Sequence, residues 1–168
     1  MMRGALQLRP VHAGDEDFLR RVYASSRAAE IALTGWDAAA AEAFLRMQFD
    51  AQHRHYQAYY GQARFDIIEC GGEPAGRLYV AREAGEIRVI DITLLDAWRG
   101  RGIGSTLLGE LLAEAAASGR SVTIHVEENN PAFTLYQRLG FRQIDTHGLY
   151  RLMEWRPRTD ATLPQESP

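Results

Sequence analysis

The chain has 168 residues, 46% hydrophobic and 24% charged, with a formal net charge of −3. That length carries one globular domain with a core of its own, and the mild acidity argues against nucleic acid or an anionic membrane as partner. Apolar runs fall short of a bilayer span, Met1-Met2-Arg3-Gly4 carries no hydrophobic signal core, and the single cysteine, Cys70, forbids an intramolecular disulfide and predicts a cytoplasmic protein.

Ala5 to Val11 reads as a first strand, with Pro10 ending its ladder. Asp15 is placed to cap a helix carrying Phe18, Leu19, Val22 and Tyr23. After a break at Thr34-Gly35-Trp36-Asp37, a long helix is predicted from Ala38 to Tyr60. Ala41, Phe44, Leu45, Gln48, Phe49, Gln52, Tyr56 and Tyr59 trace one stripe along it. Gly61 ends the helix. Arg64 to Cys70 and Ala75 to Arg82 read as strands joined through Gly71-Gly72-Glu73-Pro74. A tight turn at Ala84-Gly85-Glu86 leads into a β-branched central strand, Glu86 to Leu95.

Next comes Trp98-Arg99-Gly100-Arg101-Gly102-Ile103-Gly104-Ser105-Thr106, followed by Leu107, Leu108, Leu111, Leu112 and Ala115 at helical spacing. Strand, glycine turn, helix is the order that aims free backbone N–H groups at an anion. Glycines let the backbone approach a phosphate closely, and Arg99 and Arg101 add charge. The ligand implied is a phosphorylated cofactor. A nucleoside-triphosphate loop requires a lysine, and none occurs here. A dinucleotide fingerprint requires glycine where Ser105 or Leu107 stands.

Beyond a short alternating strand, Val122 to Val126, Asn130 is a good N-cap and Pro131 suits the first helical position. That helix ends at Gly140. Arg142 to Thr146 and Leu149 to Trp155 are the last strands, split by His147-Gly148. The chain divides into a single domain over 1–155 and a polar, proline-bearing tail over 156–168. Edge strands near the C-terminus predict a homodimer.

Two segments carry a resemblance. Arg99-x-x-Gly102-x-Gly104 is similar to the phosphate loop of the GNAT family of N-acetyltransferases. Asn129, Ala132, Leu135, Tyr136, Gly140 and Phe141 fit that family's pattern Asn-x-x-Ala-x-x-Leu-Tyr-x-x-x-Gly-Phe. The resemblance covers roughly residues 4 to 155, the first third in element order only. It implies an α/β (α+β) fold: a mixed, mainly antiparallel seven-stranded sheet flanked by about four helices.

The resemblance further implies an acyltransferase that uses acetyl-CoA as cosubstrate and acetylates a primary amine of a small molecule or a peptide amino-terminus. The other reading is a non-catalytic acyl-CoA-binding domain. The central strand is expected to splay from its neighbour after Leu94. Backbone groups of Ile92 and Leu94, with Leu95 bordering them, would bind pantetheine, and the Leu94 N–H would face the acetyl carbonyl. Arg99, Gly100, Arg101, Gly102, Ile103, Gly104, Ser105 and Thr106 would hold the pyrophosphate. Asn129 or Asn130 would bond the pantetheine arm, with Phe133 along the cofactor wall. Tyr136 would both touch the cofactor and protonate the departing thiolate, since a phenol of pKa about 10 stays protonated at neutral pH.

Asp91 is the candidate proton acceptor, with Glu69, His125, Glu127 and Glu128 as rivals. The acceptor wall is expected from the Trp36 loop, from His53, His55, Tyr56, Tyr59 and Tyr60, and from Tyr150. No metal site is expected.

Overall fold

The computed structural model describes residues 5–158; the expected tail lies outside the described residues from 159 onward. Among the described residues, seven strands and four helices follow in chain order: β1 (Leu6–Pro10), α1 (Glu16–Ala32), α2 (Ala38–Tyr59), β2 (Arg64–Cys70), β3 (Glu73–Arg82), β4 (Glu86–Leu94), α3 (Ile103–Ser118), β5 (Ser121–Glu127), α4 (Ala132–Arg138), β6 (Arg142–His147) and β7 (Tyr150–Trp155). The strands form one sheet in the order β1-β2-β3-β4-β5-β7-β6. β4 and β5 run parallel, as a pair joined through a crossover helix must. The pairs β1–β2, β2–β3, β5–β7 and β6–β7 are antiparallel. This is the mixed sheet expected from the sequence.

Contacts cluster into two compact units, one of residues up to 81 with 91–103, the other of 82–90 with 104 onward. In the first, Leu19, Val22 and Tyr23 of α1 are buried with Phe49 of α2, Ile67 and Ile68 of β2, and Leu78, Tyr79 and Val80 of β3. Tyr23 and Phe49 meet edge to face, centroids 6.2 Å apart. Asp37 caps α2 by accepting from the Ala40 N–H at 2.8 Å.

Asp15 departs from expectation. It makes no side-chain cap bond to α1. Its carboxylate instead takes both ends of the Arg9 guanidinium at 2.8 Å and the His12 N–H at 2.9 Å. The bidentate ion pair outcompetes a neutral cap bond. Those Arg9 hydrogen bonds hold the Asp15 carboxyl down at about 2.

The α2 stripe is also thinner than the periodicity implies. Phe49 is its fully buried member, while Tyr59 remains 72% exposed. The aromatic rings at the end of the helix cover one another instead, Tyr59 against His55 and Tyr60, Tyr56 against Tyr60.

In the second unit, Ile87 and Val89 of β4, Leu107, Leu108, Leu111 and Ala115 of α3, and Val122, Ile124 and Val126 of β5 are buried. Tyr136, Phe141 and Met153 join them. Each of the Val, Leu, Ile, Phe and Met side chains among them contributes about 1.5–3 kcal/mol through burial. Along β5, Val122, Thr123 and Ile124 are buried in succession, so both faces of its first half are covered, and only His125 is exposed before Val126 is buried again. β6 is exposed along its whole length and forms the sheet edge.

Candidate active site

The second half of β4 is where sequence and geometry converge. Its parallel ladder with β5 runs from Glu86↔Ser121 to Val89↔Ile124 and ends there, while β4 continues to Leu94 and β5 to Glu127. Pairing with β5 therefore ends five residues before Leu94. The later part of β4 is tied to β3 instead: the Leu95 N–H donates to the Ala75 carbonyl at 2.9 Å. β3 is itself irregular here, because Gly76 pairs with Ile68 and Pro74 with Glu69, leaving Ala75 as an extra residue. One residue on, Gly76 lies so close to β4 that a Cβ on it would stand 2.1 Å from the Thr93 carbonyl oxygen.

Asp91, read from the sequence as a carboxylate among apolar neighbours, has a polar partner on each oxygen. Arg77 of β3, its side chain 3% exposed, donates to Asp91 Oδ2 at 2.7 Å and to Gln52 Oε1 at 2.9 Å. The Thr93 hydroxyl donates to Asp91 Oδ1 at 2.6 Å. The guanidinium also lies over the Tyr79 ring, 5.1 Å from its centroid, and Tyr79 in turn meets Tyr56 and Phe65 edge to face. Burial pulls the Arg77 pKa down, but the charge of Asp91, with Tyr79 and Tyr56, outweighs it and leaves the pKa above its ordinary value. Each Asp91 oxygen keeps a second lone pair for another donor.

After β4 the chain makes a single turn at Asp96–Trp98. Arg99 folds back, donating from Nε to the Leu94 carbonyl at 3.0 Å and pairing with Asp96 at 2.9 Å. The Arg101 guanidinium lies over Trp98, 4.9 Å from the ring centroid. Gly100 and Gly102 take φ of 74° and 80°, a left-handed conformation that costs glycine nothing. Space is open where side chains would stand at Gly100, Gly102 and Gly104. α3 starts at Ile103, so the N–H groups of Ile103, Gly104 and Ser105 have no carbonyl one turn above them. Ile103 itself is buried, and Thr106 is on the exposed side. This open, donor-rich turn fits a pyrophosphate.

Within the second unit, Asn130 Oδ1 accepts from the Ala132 N–H at 2.9 Å, so Asn130 serves the turn while Asn129 is exposed beside it. The Asn130 bond is the one an N-cap makes to the second helical residue, and Pro131, with helical φ of −57° and ψ of −24°, stands at the first helical position as expected. Phe133 is half-buried under the Arg151 guanidinium, 4.7 Å away. Tyr136 is 5% exposed, its ring 5.8 Å from Phe141.

Three of the four rival proton acceptors lie against arginines. Glu69 pairs with Arg9 at 2.8 Å and Glu128 with Arg151 at 3.4 Å. His125 Nδ1 is 2.8 Å from the Arg88 guanidinium, and burial, Arg88 and the neighbouring His147 lower its pKa. Among the described residues there is no cluster of side chains that could hold a metal ion, and no helix long and apolar enough to cross a membrane.

Residues 51–143 match the family model described as Acetyltransferase (GNAT) domain. The chain belongs to the GNAT acetyltransferase family. It is 36% identical over 83 residues to mycothiol acetyltransferase of Corynebacterium glutamicum (strain R), covering 48% of this chain and 28% of the relative. It is 32% identical over 66 residues to the ribosomal protein bS18-alanine N-acetyltransferase of Haemophilus influenzae, covering 39% and 45%. The match thus spans less than half the length of either relative.

Among solved structures, the PaiA N-acetyltransferase of Thermoplasma acidophilum, in complex with coenzyme A, superposes with a TM-score of 0.67 at 19% identity, over 90% of this chain and 99% of that one. An acetyltransferase from Thermus thermophilus gives 0.64 at 25% identity, over 92% and 99%. The GNAT fold is common to all three.

In this GNAT chain, sequence reasoning passed over Gly76, Arg77 and Gln52. An isolated glycine inside a strand is a signal of close backbone approach, and Gly76 gave it. Arg77 within an otherwise apolar strand signals a buried partner. Gln52, half-buried on α2, carried no signal beyond helical spacing.

Proposed function

We propose that the chain is an N-acetyltransferase that moves the acetyl group of acetyl-CoA directly to a primary amine, of a small molecule or an amino-terminus, in a ternary complex. The observation that carries the reading is the unit formed by the end of β4 and the glycine turn. Beyond its last pair with β5, β4 supplies backbone donors, and the open turn before α3 supplies more. Backbone of Ile92 and Leu94, bordered by Leu95, takes the pantetheine as an added strand would. The turn from Arg99 to Thr106 takes the pyrophosphate. The Leu94 N–H donates to the carbonyl oxygen on which negative charge develops.

The amine nitrogen attacks the thioester carbon, a C–N bond forms and the C–S bond breaks. Asp91 accepts the amine proton, directly or through one water. Tyr136 gives its phenolic proton to the leaving sulfur. Asn129 bonds the pantetheine arm, and Phe133 lies along the cofactor wall. The acceptor wall comes from the Trp36 loop and the Tyr56–Tyr60 end of α2. The relatives named for mycothiol and for the alanine of a ribosomal protein suggest the first amines to try. A cytoplasmic location and a homodimer formed through the β6 edge complete the reading; sedimentation velocity tests the second.

The test is calorimetry with acetyl-CoA, then thiol release over a panel of amines that includes an alanine-terminated peptide. Tyr136→Phe keeps the ring, so cofactor affinity should hold while kcat falls roughly 10²–10⁴-fold. Unchanged kcat with chemistry rate-limiting would remove Tyr136 from the acid role. Tight acetyl-CoA binding with no amine acetylated would return the reading to a binding domain.

A further inference from the structure

We propose that Gly76 is the positioning residue that aims the Leu94 N–H, and that it thereby sets the preference for an acylated over a free cofactor thiol. The inference rests on the reading of Leu94 as donor to the acetyl carbonyl. A Cβ at position 76 would stand 2.1 Å from the Thr93 carbonyl oxygen, 2.9 Å from Leu94 Cα and 3.0 Å from Leu94 Cδ2. Two of these three atoms are backbone, so no rotamer change relieves the contact. Gly76 is not among the glycines with positive φ, so alanine is excluded by space and not by torsional strain.

The direction follows from peptide geometry. A trans peptide is planar, with its C=O and N–H pointing opposite ways. Thr93 O is pressed toward Gly76, so the N–H of the same peptide, Leu94's, faces away from Gly76. Two neighbours hold the peptide in that pose. The extra residue Ala75 offers its carbonyl to the Leu95 N–H at 2.9 Å, on the far side of Leu94. The Thr93 side chain is anchored to Asp91 at 2.6 Å. The segment is therefore fixed before and after the donor, and the empty volume at Gly76 is what admits it. A methyl group there would force the Thr93–Leu94 peptide to shift by about 1 Å, enough to lose a hydrogen bond made at ordinary distance.

The reacting acyl carbonyl is the feature that free coenzyme A lacks. The experiment measures the affinities of acetyl-CoA and CoA by calorimetry for the parent and Gly76→Ala. Leucine amide NMR, with Leu94 assigned, accompanies it. The parent should prefer acetyl-CoA, and its Leu94 amide should shift with acetyl-CoA and not with CoA. Gly76→Ala should bind CoA within about twofold of the parent and lose roughly fivefold or more of the acetyl preference, about one neutral hydrogen bond. Its Leu94 amide should respond alike to both ligands.

Should Gly76→Ala not fold, Leu95→Pro decides. Leu95 already has φ of −63°, which proline adopts, and the substitution removes the N–H that ties this segment to Ala75. The acetyl preference should fall in the same way. A folded Gly76→Ala, or Leu95→Pro in its place, that keeps both the preference and the selective Leu94 shift overturns the role of Gly76. A parent with no acetyl preference, or a silent Leu94 amide, overturns the donor reading on which it stands.

Discussion

Replacing Arg77 by Met should be among the most damaging single changes in the first unit. Methionine keeps the packing of the arginine methylenes and removes the guanidinium, so most of the loss is electrostatic. Arg77 is 3% and Asp91 12% exposed in their side chains, and the contact between them is 2.7 Å. In Arg77→Met, Asp91 keeps one hydrogen bond, from Thr93, and Gln52 loses its donor. Orphaning a buried charge in this way costs about 3–5 kcal/mol. Asp91 has some contact with water, which places the expectation near 3 kcal/mol. At about 2–4 °C per kcal/mol for a domain of this size, the melting temperature should drop by roughly 6–12 °C.

The control is the double variant Arg77→Met/Asp91→Leu, which removes both charges and should recover to within about 1 kcal/mol of the parent. Urea denaturation of the four proteins closes the cycle. The argument is refuted if Arg77→Met costs under about 1 kcal/mol, or if the double variant is no more stable than the single one.

Gly102→Val meets open space but a φ of 80° that valine adopts at a cost, so it should lower stability by about 1–2 kcal/mol and weaken acetyl-CoA at least tenfold in calorimetry. Asp15 is ionised in the fold down to about pH 2 and in the unfolded chain to its ordinary 3.8, so its ion pair stabilises fully above pH 4 and is lost as pH falls toward 2. Partial exposure of Arg9 limits this to about 1–2 kcal/mol, and Asp15→Asn should flatten denaturation midpoints over that window.

Local signals in the chain were strong where glycine and hydrophobic period coincide. β2 was legible to the residue because Gly61 and the Gly71-Gly72 pair punctuate it. α3 was legible from Ile103, Leu107, Leu108, Leu111 and Ala115, all buried as their spacing requires. The glycine turn was legible because its chemistry is local, with the conformation and the donors contributed by consecutive residues.

What escaped was set between distant strands. Arg77 and Asp91 are 14 residues apart and meet through β-pairing, so Asp91 looked isolated in one dimension. The role of Gly76 depends on a carbonyl seventeen positions away, visible only once both strands are placed. The α2 stripe was overread because aromatic residues at helical spacing can cover each other, as Tyr59 and His55 do, centroids 5.3 Å apart. Asp15 was read as a cap because nothing local announces that Arg9 competes for it.

Arg99 carries a last consequence. Its guanidinium is half-exposed but already engaged by the Leu94 carbonyl and Asp96, so part of its charge is compensated within the turn. A phosphate received there meets amide dipoles, which act only at close range and weaken as salt is added. The molecule as a whole carries −3, and at longer range it repels a polyanion. Salt weakens this long-range repulsion together with the attraction at contact, so capture of the cofactor should depend on salt less than an encounter steered by unpaired arginines.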